Sequence, residues 1–299
     1  MLWSQLATCG LTLYEAVEAN GVKAVLANPL KMRAIASAKI KNDKVDARVL
    51  ASLLRGGLVA ECYVPPRDVR ELRALVRHRV QLVKSAGMVK NRVHSLLDRY
   101  GFRCEFSDLF GKAGLEWLKR LELKPLDRLL LDGFIEQIEC LERLIKNVDA
   151  ETERRASVDE DVRLLLSLTG VGVYSALLIK SEIGDVRRFS NYKKLVSWAG
   201  LAPSLHQSGN VERHGHITKQ GSKLLRWVIV ECARVAVVHD ARLCEFYERV
   251  ERRRGEQKAL VAVACKMLKI VWFMLTRREP YQSRNVRLYG DKLYRLSRY

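Results

Sequence analysis

The stretch that most constrains the fold is Arg67–Tyr100, a long proline-free run with apolar residues at Val69, Leu72, Leu75, Val76, Leu82, Val83, Val89, Val93, Leu96 and Leu97. Spacings of three and four recur along it and Gly101 stops it, so it reads as one long amphipathic helix. Such a helix needs a partner for its apolar stripe. A second pattern supplies one over Leu126–Val148, with Leu130, Phe134, Ile138, Leu141 and Ile145. Two long helices with a helical connection between them predict an antiparallel coiled-coil hairpin; an ordinary helical bundle is the alternative. The other faces of the first arm carry Arg70, Arg73, Arg77, Arg79, Lys84, Lys90, Arg92 and Arg99. That stripe suits a helix lying along a phosphate backbone, although solvated surface charge gives the same pattern.

The charge of the whole chain points the same way. Its 53 Lys and Arg outnumber 34 Asp and Glu, leaving a net +19. A basic surface of this size attracts polyanions, of which nucleic acid is the commonest. The 299 residues allow about two domains, and a hydrophobic content of 48% is enough for a core, which excludes a wholly disordered chain. The apolar run Ala259–Leu275 is interrupted by Lys266 and Lys269 and reads as too short to span a bilayer comfortably. Met1–Leu13 lacks a basic start followed by an apolar core. No membrane and a cytoplasmic location are therefore expected. The seven cysteines have no CxxC spacing, so they read as small hydrophobes rather than metal ligands or a disulfide framework.

Ahead of the long arm, Leu11–Asn20 reads as a short helix ending at Gly21, Val22–Asn28 as a buried-type strand, Ala34–Lys41 as a basic loop and Asp43–Leu54 as a helix. Leu58–Val64 is a second short strand, stopped by Pro65 and Pro66. This is an α/β unit with too few strands for a freestanding sheet. After Val158 the chain reads as mainly helical, with a polar segment at Ser204–Gly221, helices at Ser222–Val238 and Lys258–Leu275, a charged stretch between them and a basic tail.

Three constellations could carry chemistry. Asp43 and Asp46, three apart at a helix start, put two carboxylates on one face. That suits a hard divalent cation such as Mg²⁺ with phosphate oxygens completing the shell; an N-cap with an acid at the third helical position is a common helix start and is favoured on pattern alone. Gly170-Val-Gly172 between apolar helical segments resembles a helix-hairpin-helix turn, where backbone N–H groups meet phosphate; a tight turn between packed helices is the other reading. Ser208 lies in a polar segment with His206, Arg213 and His214. A serine there could attack a phosphodiester given a base and cations, though Ser-Gly pairs are common in loops. His206, His214 and His216 match no familiar metal spacing.

Two motif sets, in order, resemble one family. The first is Tyr14-Glu-Ala-Val-Glu, Val25-Leu-Ala-Asn-Pro and Lys39-Ile-Lys-Asn-Asp-Lys-Val-Asp-Ala-Arg. The second is Leu168-Thr-Gly-Val-Gly, Phe189-Ser-Asn-Tyr through Gly200-Leu-Ala-Pro, Gln207-Ser-Gly and Ile217-Thr-Lys-Gln-Gly-Ser-Lys-Leu-Leu-Arg. Together they resemble the DEDD insertion-sequence transposases related to Piv and MooV, over roughly residues 10–275.

The resemblance implies a partial RNase H/RuvC-like domain over 1–66, a coiled-coil linker over 67–157, a C-terminal transposase domain over 158–279 and a basic tail over 280–299. It implies strand cleavage and rejoining of DNA by metal-binding acids, of which Asp43 and Asp46 match the last two, and by a serine matching Ser208. It further implies Mg²⁺, a homo-oligomer built through the coiled coil and, as in some members, a guide RNA encoded by the element. Gly170, Gly172, Arg213, Lys219 and Arg226 are the expected nucleic-acid contacts. The family's first Asp falls before this chain begins, and its second acid falls near Gln5 and Leu6, neither acidic. An N-terminally truncated copy is therefore expected. The rival readings are a nucleic-acid-binding remnant without catalysis and a plain RuvC-type nuclease.

Overall fold

A computed structural model describes residues 12–28, 31–32, 43–208 and 211–298, without the side chains at 43, 44, 46, 205–208 and 211–214. The chain divides into two compact units, Met1–Pro66 and Arg67–Tyr299.

In the first unit a helix over 12–19 (α1) ends at Gly21, whose φ of +74° suits a residue without Cβ. Helix α2 covers Asp43–Arg55 and closes at Gly57, φ +65°. The two expected strands shrink to one antiparallel bridge, Ala27 opposite Glu61. It is held by Asn28 N donating to Ala60 O at 2.8 Å and Cys62 N to Leu26 O at 2.6 Å. The apolar pattern did mark the two segments that meet, but so short a ladder is no strand. The basic loop expected over 34–41, and Gln5 and Leu6, lie outside the described residues.

Helix α3 spans Arg67–Tyr100, α4 Lys112–Arg120 and α5 Pro125–Ser157. The second arm thus runs nine residues beyond the expected Val148. Ion pairs show that α3 and α5 are antiparallel: Arg79 meets Asp149, Lys90 meets Glu142 at 2.9 Å, and Arg99 meets Asp127 at 3.1 Å. The far end has its own apolar core, formed by Val89, Val93, Leu96, Leu97, Leu118, Leu131, Ile135 and Ile138 among others.

The rest of the second unit surrounds a larger core. Helices α6 (Glu160–Leu166), α7 (Val173–Ile183), α8 (Tyr192–Trp198), α9 (Lys223–His239), α10 (Ala241–Arg254), α11 (Glu256–Arg277) and α12 (Val286–Leu296) build it. Side-chain caps start several of them, as Asp159, Asn191, Ser222, Asp240 and Asn285 accept from backbone N–H groups one turn on. Helix α11 packs on α8, α9 and α10 and buries Val263, Met267, Leu268 and Val271. At 22 residues it is longer than its sequence reading and is long and apolar enough to cross a membrane; here half of its most apolar window is buried in the fold.

Three further readings change. The charged stretch after α9 is helix α10. The polar segment at 204–221 contains an antiparallel hairpin, β1 (Pro203–Ser208) with β2 (Val211–Ile217). The basic tail contains α12, which packs on the body: Leu296 is buried, and Lys292 Nζ donates to Leu166 O at 3.0 Å and Val171 O at 2.6 Å.

Candidate functional site

Ser208 ends β1, paired with Val211, and the register then runs Gln207 to Glu212, His206 to Arg213 and Leu205 to His214. Positions two apart on a strand share a face, and so do directly opposed positions. Positions 206, 208, 211 and 213 therefore lie on one face of the ribbon.

The root of the hairpin is a crossing of two turns that only glycine permits. Gly200 has φ +72°, and a Cβ there would run into the Lys219–Gln220 backbone. Gly221 has φ +74°, and its Cβ would strike the carbonyl of Trp198. Two backbone bonds close the crossing, Lys219 N to Gly200 O and Thr218 N to Ala202 O, both at 3.0 Å. Lys219 itself sits at φ +54°, with its side chain exposed. Arg226, one turn into α9, reaches back so that Nη1 donates to Ala199 O at 3.0 Å and Gln220 O at 2.5 Å. Burial pushes its guanidinium pKa down from the ordinary arginine value. Arg226 is thus part of the joint that carries the hairpin.

Gly170 and Gly172 differ in kind. A Cβ on Gly170 (φ +86°) would collide with the carbonyl of Cys232 in α9, so close helix packing requires this glycine. Gly172 is the N-cap of α7, has open space where a Cβ would stand, and offers no side chain to the first turn. Asp43 and Asp46 fall in the first turn of α2, three positions apart. Their side chains lie outside the described residues, and among the described residues no group of three or more His, Cys, Asp or Glu gathers as a metal site would require.

The basic stripe on α3 has structural partners. Arg73 donates to Ser181 O at 2.7 Å and Glu182 O at 3.2 Å, and Arg77 grips the Glu182 carboxylate. With Arg79, Lys90 and Arg99 bound to α5, five of the eight stripe residues tie α3 to the rest of its unit. The Tyr174 hydroxyl adds a bond to Val76 O at 2.8 Å, and burial pushes its pKa up to about 12.

A different basic cluster surrounds a cleft of about 1030 Å³ between α8, the hairpin root, α10 and α11. Lys193, Lys258, Lys266 and Lys269 line it, together with Tyr192 and Phe246. Lys266 Nζ stands 4.4 Å from the Phe246 ring centre, and Lys269 Nζ 4.8 Å from that of Tyr192. Among the described residues none of these four lysines has a carboxylate partner. In the sequence this cluster is scattered over two distant segments. Its one trace there is the pair Lys266 and Lys269, which breaks the apolar run of α11.

The comparisons with known proteins bear on both units. The family model for the DEDD-type IS110 transposases matches residues 3–102, and the one for transposases of the IS116/IS110/IS902 family matches residues 162–248. Together these cover more than half of the chain and take in α2, the hairpin and its glycine crossing. Among curated relatives, the transposase for insertion sequence element IS1111A from Coxiella burnetii is 28% identical, over 81% of this chain and 68% of its own length. A probable family 20 transposase from Pseudomonas aeruginosa is also 28% identical, over 81% and 75%. The transposase for insertion sequence element IS1328 from Yersinia enterocolitica is 29% identical, over 79% and 72%. With both motif regions matched in order and the relatives aligned across most of its length, the chain belongs to the IS110/IS116/IS902 family of DEDD-type insertion-sequence transposases.

Proposed function

We propose that this transposase cleaves and rejoins DNA strands through a covalent bond to Ser208. The observation that supports the reading is the hairpin register, in which positions 206, 208 and 213 share one face of the ribbon. Attack by the Ser208 oxygen on phosphorus forms an O–P bond and breaks the P–O bond to the departing deoxyribose oxygen. His206 takes the serine proton, the departing oxygen collects a proton, and Arg213 balances charge on the phosphate. Rejoining runs the same exchange in reverse with a new deoxyribose hydroxyl.

Asp43 and Asp46 are hard oxygen donors one helical turn apart, a donor set that fits Mg²⁺. When bound there, the metal supplies charge neutralisation at the phosphate. Lys219 and Arg226 at the hairpin root, and the Gly170–Gly172 turn as a helix-hairpin-helix element, serve as phosphate contacts. A RuvC-like first domain, oligomerisation through a coiled coil of α3 and α5, a guide RNA, a cytoplasmic location and no membrane role complete the proposal. The burial of α11 within the core supports the last point.

The test is an SDS-resistant protein–DNA adduct on labelled DNA carrying the element's own ends. Wild type should form it in Mg²⁺, and Ser208→Ala should abolish it while DNA binding persists. Cutting that survives Ser208→Ala without any adduct would establish the RuvC-type nuclease reading. Binding by wild type with neither cutting nor adduct would establish the non-catalytic remnant.

A further inference from the structure

The geometry points to the cleft between α8, the hairpin root, α10 and α11 as the seat of an unpaired DNA nucleotide, its base against the apolar floor and its flanking phosphates on the lysine rim. The inference deepens the proposed function, because it names the form of DNA that the same end of the molecule receives.

Three observations carry it. First, the lining is divided: Val196, Leu201, Val261 and Cys265 are apolar and buried or half-buried, while Lys193, Lys258 and Lys269 are exposed and Lys266 half-buried. Burial pushes the Cys265 thiol up to about 11, in keeping with a floor that resists charge. An occupant that matches both parts is flat and apolar in body and anionic at its edge, as a nucleotide in a single strand is.

Second, the charge is available. Arg73, Arg77, Arg79 and Arg99 of α3 are held by carbonyls and carboxylates within the protein, but none of these lysines has such a partner among the described residues. Among the described residues no carboxylate lines the cleft either. Aromatic faces under Lys266 and Lys269 hold two of the ammonium groups at the edge without neutralising them.

Third, the cleft begins where the hairpin begins. Pro203, Gly215 and Ile217 belong to both. Five residues of strand separate Pro203 from Ser208, roughly 17 Å of travel, which is about five nucleotide rises along one strand. A base held in the cleft would fix the strand a few nucleotides from the serine. Duplex DNA cannot enter a space of this size, so the occupant must be unstacked.

The experiment measures binding of the full chain to an oligothymidylate of about twelve nucleotides by fluorescence anisotropy across a salt series, with no joining reaction involved. Wild type should prefer it about tenfold over an abasic strand of equal length, the effect of one stacked base. Lys266→Gln with Lys269→Gln should weaken binding and flatten the log–log salt slope by about 1.4, or 0.7 per lost phosphate contact. Lys84→Gln with Arg92→Gln, which removes two exposed charges from α3, should do neither. Ala262→Trp, which fills the cleft and keeps every lysine, should erase the preference over the abasic strand.

Equal affinity for abasic and thymidine strands overturns the proposal. So does an equal loss in the α3 control, which would reduce the effect to overall charge. Tighter binding of oligouridylate than of oligothymidylate overturns the assignment to DNA. Ser208→Ala leaves all these readouts in place, so failure of the serine mechanism and failure of this site are separable.

Discussion

Arg77 and Glu182 form a two-pronged ion pair, Nε to Oε1 at 2.8 Å and Nη2 to Oε2 at 3.0 Å, with the carboxylate only 3% exposed and the guanidinium 47% exposed. Removing the arginine leaves a buried carboxylate without its counter-charge. Breaking a fully buried pair costs about 3–5 kcal/mol; the open guanidinium puts Arg77→Ala below that, at about 2 kcal/mol. Adding Glu182→Gln should restore most of the loss, because no unpaired charge then remains. Urea unfolding at constant m-value measures both variants, and a neutral Arg77→Ala would show that the pair does not hold α3 to α7.

At the hairpin root, Gly221→Ala should be worse than an ordinary glycine substitution. The residue has φ +74° and faces the Trp198 carbonyl, so backbone strain of about 1–3 kcal/mol adds to a steric clash. Gly57→Ala, at φ +65° with open space around it, isolates the strain alone. Thermal unfolding should rank Gly221→Ala and Gly200→Ala well below Gly57→Ala.

Arg226 can be tested for its two roles separately. Its Nη1 bonds to Ala199 O and Gln220 O predict that Arg226→Ala loses about 1.5–3 kcal/mol, the range for bonds from a charged donor, with partial exposure favouring the lower end. If Arg226 also meets phosphate, the log–log salt slope on duplex DNA falls by about 0.9. An unchanged slope with lowered stability would confine Arg226 to the joint.

Alkaline pH should weaken the fold through Cys232. Burial raises this thiol from 9.0 to about 11. Between those values the unfolded chain has lost the proton and the folded chain keeps it, so stability is full below pH 9 and declines as pH rises towards 11. Two pH units at about 1.36 kcal/mol each set an upper bound of about 2.7 kcal/mol. Lys292 acts in the opposite sense, because burial lowers its pKa from 10.5. Denaturant midpoints from pH 8 to 11 should fall less steeply in Cys232→Ala than in wild type.

The helices were legible because their signals are local. The apolar stripe from Leu72 to Leu97 needs no knowledge of its partner, and Gly101 ends it where expected. The β-hairpin was not legible: His206, Gln207 and Ser208 have neither β-branched residues nor an apolar alternation. Its ends are instead brought together by the Gly200–Gly221 crossing, a contact between turns far apart in sequence. Val22–Asn28 and Leu58–Val64 were marked as strands by composition, which cannot reveal how few ladder bonds they make. Ser208 stands out from the cation-bearing polar segment around it only weakly, since a serine before a glycine carries little signal alone, and the family motif is what sharpens it. The cleft was illegible because Lys193 comes from α8 and Lys258, Lys266 and Lys269 from α11, and only packing makes them neighbours.

Helix α3 takes part in two separate cores, giving Leu72, Val76 and Val80 to one and Val89, Val93, Leu96 and Leu97 to the other. Its 34 residues measure about 50 Å at 1.5 Å each. Each end is anchored by its own apolar contacts, and Leu82 and Ala86 are buried in the stretch that joins them. Whole turns added to or removed from that stretch, and matched in α5 so that Leu82 and Ala86 stay covered, would change the distance between the two cores and leave the contacts inside each unchanged. The separation of the two cores is thus fixed by the shared length of α3 and α5 and not by the contacts within either core.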